Sequence, residues 1–219
     1  VWISGRGDIL AGIFFFTSCF FFLKWFDRPK SSWFFMTGTA VSYSLALLCK
    51  EMAITLPVVF LLAFFLPENR KHGFRQIKGM LGILALVTFG YLEIRYMVLG
   101  GTAGDTPGIN TGDLLLTLPI VFTRYMGLIL GLVPTDPHHA DTLCRTAWSL
   151  RFAGNFLVVL AYGAVAVMAW LRRQYRLFFC LLWFPVTLIP VFKLGGFGDI
   201  LYADRLLYIP SVGLIFAAI

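Results

Sequence analysis

The sequence predicts an all-α, polytopic membrane protein with about seven transmembrane helices and one further segment that is re-entrant or interfacial. Of its 219 residues, 59% are apolar, 13% are charged, and 23 are Phe. Soluble domains contain roughly 45–50% apolar and about 25% charged residues. A soluble core of this size could not bury so much apolar surface. The composition therefore excludes an ordinary soluble enzyme, a disordered chain and a small disulfide scaffold.

Eight apolar segments are candidates for crossing the hydrocarbon core, which takes roughly 20 residues. Segment 152–171 is the clearest because it contains no charge. The segments on either side of Lys50 and Glu51 leave no room for a loop, so we predict a tight helical hairpin with this pair at its tip. The candidates are 9–26, 33–49, 52–66, 79–99, 114–133, 152–171, 177–192 and 206–219.

Basic residues predict the orientation of these segments. Three clusters contain ten of the 18 Lys and Arg residues, accompanied only by Asp27 and Glu68. Because Lys and Arg collect on cytoplasmic loops, all three clusters should be cytoplasmic, and the net charge of +7 needs no nucleic-acid partner. The clusters are Lys24, Arg28 and Lys30; Arg70, Lys71, Arg75 and Lys78; and Arg172, Arg173 and Arg176.

The number of segments between the second and third clusters conflicts with this orientation. Three segments lie there, and three full crossings would place the third cluster outside. Segment 114–133 carries Pro119 and Arg124 near its middle, and an arginine at the bilayer centre is costly unless it faces protein or water. We therefore expect this segment to be re-entrant or to lie along the outer interface. The outer face then gathers 100–113, 134–151 and 193–205, where chemistry is expected.

Two charged pairs are candidates for contact with an anionic lipid head. Lys50 and Glu51 either cap two helices or hold a cation and a carboxylate at head-group level. Asp204 and Arg205 either anchor the chain at the interface or form a phosphate clamp, because the arginine fork matches phosphate oxygens. The glycine-rich stretch 195–198, followed by Asp199, would let backbone approach such a ligand.

Other polar residues are weaker candidates for a functional role. Asp8 is expected to be the N-cap of the first helix, and Arg6 beside it is a candidate for contact with an anion. Glu93 and Arg95 are two residues apart and do not face each other on a helix, so each needs another partner, as does Arg124. Gly127 and Gly131 have the spacing of a close helix contact.

No metal site is predicted. His138 and His139 lie near two aspartates, but no spacing matches a known ligand set. The four cysteines have no C-x-x-C spacing, and three of them lie in apolar runs as packing residues. No phosphate-binding loop, nucleophile elbow or zinc-protease motif occurs.

Three strings are notable for their order and spacing: VWISGRGDIL at 1–10, LCKEMAITLP at 48–57 and DRLLYIPSVG at 204–213. Together they resemble the membrane domain of the transmembrane and tetratricopeptide-repeat proteins. Residues 91–96 and 123–134 also resemble its central region, so the resemblance covers nearly the whole chain. Two departures are Gly7, where Ala is common, and Asp204, where Glu is common.

The resemblance implies a polytopic glycosyltransferase of the GT-C type in a bacterial inner membrane or the endoplasmic reticulum membrane. Such enzymes transfer a sugar, typically mannose, from a polyprenyl- or dolichyl-phosphate donor to protein Ser or Thr on the outer face. The lipid-phosphate sugar is a co-substrate, and no other cofactor is expected. The family's catalytic carboxylates would lie upstream of Val1 and its acceptor-binding repeats beyond Ile219, so we expect a piece of a longer protein that is inactive alone.

Within this chain, the implied task is to stabilise negative charge on the lipid phosphate. Arg205 is the first candidate for binding the donor phosphate, followed by Lys50 and Arg6. Glu51 and Asp204 are expected to orient those cations, with further support from Asp199, Arg95 and Arg124. The Phe-rich segments would flank the polyprenyl tail and the surrounding membrane lipids.

Two other classes remain as alternatives. A secondary transporter or flippase of a lipid-linked or anionic substrate would also carry charges at broken helices, but it predicts inverted repeats, and none is visible. A non-catalytic membrane scaffold for a repeat domain is compatible with the same segments.

Overall fold

The structure is a computed structural model that describes residues 6–27, 32–66, 74–99, 111–134, 144, 146, 149–192 and 204–219. These residues form helices joined by turns, and no strand occurs among them. The all-α class is therefore confirmed. Contacts between Cα atoms group the chain into two compact units, residues 1–100 and 101–219.

The described residues of the first unit form four α helices. Helix α1 (Arg6–Asp27) is followed by α2 (Ser32–Cys49), and after a 3₁₀ turn at Glu51–Thr55 the chain continues as α3 (Leu56–Phe65) and α4 (Phe74–Leu99). Pro57 in the first turn of α3 suits this helix start, because that turn has amide groups without intrahelical partners.

The second unit also contains four α helices among its described residues. They are α5 (Thr111–Ile129), α6 (Leu150–Leu171), α7 (Tyr175–Leu188) and α8 (Pro210–Ala218). Short 3₁₀ turns at Ile189–Phe192 and Asp204–Leu207 follow α7 and precede α8. Ser149 caps α6 by accepting a hydrogen bond from the amide of Phe152, at 3.1 Å.

Each of the eight predicted apolar segments corresponds to a helix, but the helices differ in length. Within the described residues, three are long and apolar enough to cross a membrane: Arg6–Phe26, Ile77–Val98 and Leu150–Leu171. These helices fit a membrane protein. Helix α5, which covers most of segment 114–133, is continuous through Pro119.

Small residues and aromatic rings pack the first unit. Helices α1 and α2 run antiparallel, with the hydroxyl of Ser18 donating to the carbonyl of Thr39 at 2.9 Å. The rings of Phe22 and Phe60 stack with centroids 3.9 Å apart, which brings α3 against α1. Together these contacts bury the faces of α1, α2 and α3 that meet inside the unit.

The second unit is held together by hydrogen bonds from aromatic side chains. The hydroxyl of Tyr162 on α6 donates to the carbonyl of Leu181 on α7 at 2.6 Å. The indole nitrogen of Trp183 donates to the carbonyl of Ile209, at the start of α8, at 3.0 Å. A Cβ atom added to Gly213 would lie 2.7 Å from the Cys180 carbonyl oxygen, so only glycine lets α8 approach α7 this closely.

The ends of α5 and α6 each have one residue in the left-handed backbone region. Gly131 has φ +68° and follows the end of α5, where the amide of Leu132 bonds the carbonyl of Gly127 at 2.8 Å. This is a Schellman-type end, so the prediction that Gly127 and Gly131 form a helix contact was wrong: Gly131 ends the helix instead. Arg173 has φ 60° at the equivalent place after α6.

Candidate functional site

The hairpin tip at Lys50 is a sharp break in the backbone. Helix α2 ends at Cys49, Lys50 is extended with φ −162° and ψ 139°, and the 3₁₀ turn begins at Glu51. The amide of Lys50 still bonds the carbonyl of Ala46 at 2.9 Å. This geometry agrees with the predicted hairpin, and it directs the two adjacent charges towards different neighbours.

Lys50 forms an ion pair with α1. Its ammonium group donates to Oδ1 of Asp8, and the two side chains are 24% and 10% exposed, respectively. The other carboxylate oxygen of Asp8 is buried and has no hydrogen-bond partner among the described residues. Because α1 already begins at Arg6, Asp8 lies in its first turn, and the prediction that Asp8 is the N-cap was wrong.

Glu51 forms an ion pair with α4. Nη1 of Arg95 donates to Oε2 of Glu51, and the same Nη1 donates to the hydroxyl of Tyr91 at 3.0 Å. Tyr91 and Arg95 are four residues apart and therefore share one face of the helix. Glu51 is the partner that the sequence required for Arg95 and could not identify.

These two pairs form one charged group, which we call the tip cluster: Asp8, Lys50, Glu51 and Arg95. It joins the start of α1, the α2–α3 hairpin and the end of α4 within the first unit. Two cations and two carboxylates give it no net charge. The side chains of Lys50 and Arg95 remain about one quarter exposed, so both cations can still meet a ligand.

A groove lies beside the tip cluster, between α2 and α4, with a cavity volume of about 510 Å³. We call it the α2–α4 groove. Arg95 lines it together with mostly apolar residues. Two contacts show that these helices run parallel. The Tyr43 hydroxyl lies 2.7 Å from Oγ1 of Thr88, and about two helical turns further along both segments Glu51 pairs with Arg95. The other lining residues are Ser44, Leu47, Leu48, Val87, Gly90, Tyr91, Ile94 and Val98.

The other predicted site residues are not brought to this cluster by any described contact. Arg6 is exposed at the first residue of α1, and Arg124 is half-buried on α5 in the second unit. The backbone of Asp204 and Arg205 forms a 3₁₀ turn, but their side chains lie outside the described part of the chain. Asp199, His138 and His139 lie outside the described residues altogether.

Sequence reasoning missed Asp8 and Tyr91 as members of the site. The four-residue spacing of Tyr91 and Arg95 on a helix was a usable signal. Asp8 gave no such signal, because it lies 42 positions from Lys50 and a local pattern does not show that contact.

Among the residues that the structure describes, no group of three or more His, Cys, Asp or Glu side chains could hold a metal ion. Cys19, Cys49, Cys144 and Cys180 are free thiols. Comparison with known protein families, curated proteins and solved structures found no match.

Proposed function

We propose that this chain is the membrane domain of a GT-C type glycosyltransferase with about seven crossings and one segment, 114–133, that does not cross. It would transfer a sugar, by resemblance mannose, from a polyprenyl- or dolichyl-phosphate donor to protein Ser or Thr. The reaction would take place on the outer face of a bacterial inner membrane or the endoplasmic reticulum membrane.

One observation supports this proposal most strongly. Asp8 comes from the string at 1–10, Lys50 and Glu51 from the string at 48–57, and Arg95 from the further stretch of resemblance at 91–96, and ion pairs join them in one cluster. Charged residues in membrane-embedded helices are costly and usually serve function. A cluster built from these strings is therefore a reasonable place for the family's chemistry.

The chemistry assigned to this chain is stabilisation of a leaving group. When the bond between the sugar carbon and the phosphate oxygen breaks, negative charge grows on the lipid phosphate, and nearby cations lower its energy. By the resemblance, the proposed contacts with that phosphate are Arg205, Lys50 and Arg6. Asp8 and Glu51 hold Lys50 and Arg95 in place. The acceptor's hydroxyl proton is expected to pass to a base in the loop that the resemblance places upstream of Val1.

The test is sugar transfer by the complete protein in lipid nanodiscs, with labelled polyprenyl-phosphate mannose and an acceptor protein. Arg205→Ala should remove most transfer while leaving expression and membrane insertion intact. Arg205→Lys should restore only part, because a point charge lacks the bidentate fork. Arg172→Ala, which removes an exposed cation at the end of α6, is the matched control and should transfer normally.

Wild-type turnover in purified Arg205→Ala would reject the phosphate role of Arg205. If the unmodified protein transfers no sugar but moves the lipid-linked donor across the bilayer, the transporter alternative replaces the enzyme.

A further inference from the structure

The shape and lining of the α2–α4 groove suit one acyl chain of a lipid. On α4 its lining residues Val87, Gly90, Ile94 and Val98 repeat at intervals of three and four, so they form a single stripe along the helix. The hydroxyl of Ser44 donates to its own helix, at the carbonyl of Ala40, 2.8 Å away. Among the described residues, the lining of the groove is therefore apolar along most of its length and polar at Ser44, Tyr91 and Arg95.

The groove contains open space at Gly90. A Cβ atom added there would meet no atom within 4 Å among the described residues. Glycine is therefore not required at this position by the packing of α2 against α4. A larger side chain at Gly90 would enter the groove without displacing the protein.

The length of the groove matches one leaflet of a bilayer. From Val87 to Val98, α4 rises about 16 Å at 1.5 Å per residue. The hydrocarbon core of a bilayer is about 30 Å thick, so this distance is about half of it. Arg95 and the hairpin tip lie at the same end of the groove, which is where a head group would lie if the chain filled the rest.

Arg95 retains hydrogen-bonding capacity for such a head group. Its contacts with Glu51 and Tyr91 both use Nη1, and Nε and Nη2 have no partner among the described residues. These two nitrogens form the planar fork that binds two phosphate oxygens together. Glu51 holds the guanidinium in place, so little side-chain freedom is lost when a ligand binds.

We infer that the α2–α4 groove binds an anionic glycerophospholipid of the surrounding bilayer, with the phosphate on Arg95 and one acyl chain running from there towards Val87. An acyl chain fits the depth of one leaflet, whereas a polyprenyl chain is much longer than this groove. The inference concerns a resident lipid and does not depend on sugar transfer.

The test uses the complete protein in nanodiscs that contain phosphatidylglycerol with a photoreactive group on one acyl chain. After illumination, crosslinks are mapped by mass spectrometry to α2 and α4. Phosphatidylcholine with the same photoreactive chain is the probe control. Phosphatidylcholine has the same phosphate, but its positively charged choline group is repelled by Arg95 and leaves the head group without net charge. We therefore expect the phosphatidylglycerol probe to label Leu47, Leu48 and the 87–98 stretch about tenfold more than the phosphatidylcholine probe.

Two variants separate the chain site from the head-group site. Gly90→Phe fills the groove and should abolish labelling by both probes. Gly82→Phe is its matched control, because Gly82 also has open space around it on α4 but does not line the groove. Arg95→Gln should remove the preference for phosphatidylglycerol. If it fails to fold, the Gly90 and Gly82 pair still decides the outcome.

Equal labelling of the unmodified protein and Gly90→Phe would overturn the inference. So would the absence of labelling at 87–98, which would mean that another part of the complete protein covers the groove. Displacement of the probe by trace polyprenyl phosphate would assign the groove to the donor lipid and also overturn it. Loss of sugar transfer with labelling intact would count against the proposed function alone.

Discussion

The ammonium group of Lys50 donates to Asp8, and this ion pair joins the tip of the α2–α3 hairpin to the first turn of α1. Asp8 is nine-tenths buried, and Lys50 is about three-quarters buried. A carboxylate in such surroundings needs its counter-charge, because burial of an unpaired charge costs several kcal/mol. The pair therefore has a structural role that is separable from any contact with a lipid.

A double-mutant cycle measures that structural role. Asp8→Asn and Lys50→Gln should each lower the free energy of unfolding in mixed micelles. The double variant should cost less than the sum of the two, with a coupling of about 1–2 kcal/mol for a partly exposed charged hydrogen bond. Additive losses would mean that the two side chains do not interact in the folded protein.

Lys50 has a second expected effect if it meets the donor phosphate. Lys50→Gln should then weaken binding of polyprenyl-phosphate mannose, measured by titration in nanodiscs. The difference from the unmodified protein should shrink as salt rises, because ions screen the attraction. Asp8→Asn is the comparison, since it disturbs the same pair but leaves the cation. If Lys50→Gln lowers stability and leaves donor binding unchanged at every salt concentration, the role of Lys50 is only to stabilise the hairpin.

Glu51 and Arg95 should behave as one unit in catalysis. Glu51→Gln and Arg95→Gln should each reduce sugar transfer by about tenfold, which corresponds to about 1.4 kcal/mol in the activation barrier. The double variant should be little worse than either single one, because both changes break the same ion pair. None of them should shift the pH–rate profile. Loss of one limb of that profile in Glu51→Gln would make Glu51 a general base.

The orientation of the chain can be tested by cysteine labelling in a variant without the four native cysteines. Gln174 lies in the exposed turn between α6 and α7. Gln174→Cys should not react with an impermeant reagent added outside, because the neighbouring Arg172, Arg173 and Arg176 should face the cytoplasm. Cysteines at positions 105 and 141, which lie outside the described residues, should react. Outside labelling of Gln174→Cys would show that segment 114–133 crosses the membrane after all.

Gly213 should be intolerant of even one added methyl group. Gly213→Ala should lower the free energy of unfolding by about 1–3 kcal/mol, since its Cβ would lie 2.7 Å from the backbone carbonyl of Cys180. Gly163→Ala on α6 is the matched control, because nothing lies within 4 Å of its Cβ. Alanine also favours a helix by up to about 1 kcal/mol, so the control should be neutral or stabilising. Equal stability of the two variants would contradict the close approach of α8 to α7.

The sequence by itself determined the helical class and the position of the helices, because long apolar runs separated by charged residues are typical of helices that lie in a bilayer. It also located the break at Lys50 and Glu51, since two adjacent charges cannot continue an apolar helix cheaply. The spacing of Gly127 and Gly131 led to a wrong prediction, because glycine both allows close helix packing and ends helices. Only the backbone conformation at Gly131 shows that it ends α5.

Only the tertiary structure decided which charges meet. Asp8 and Lys50 lie 42 positions apart, and Glu51 and Arg95 lie 44 apart, so their pairing depends on how α1 and α4 pack against the hairpin. The α2–α4 groove likewise depends on the distance between two helices, which are joined by a hydrogen bond between Tyr43 and Thr88 at 2.7 Å. Helix periodicity predicts which residues share a face, but it carries no information about which other helix that face will meet.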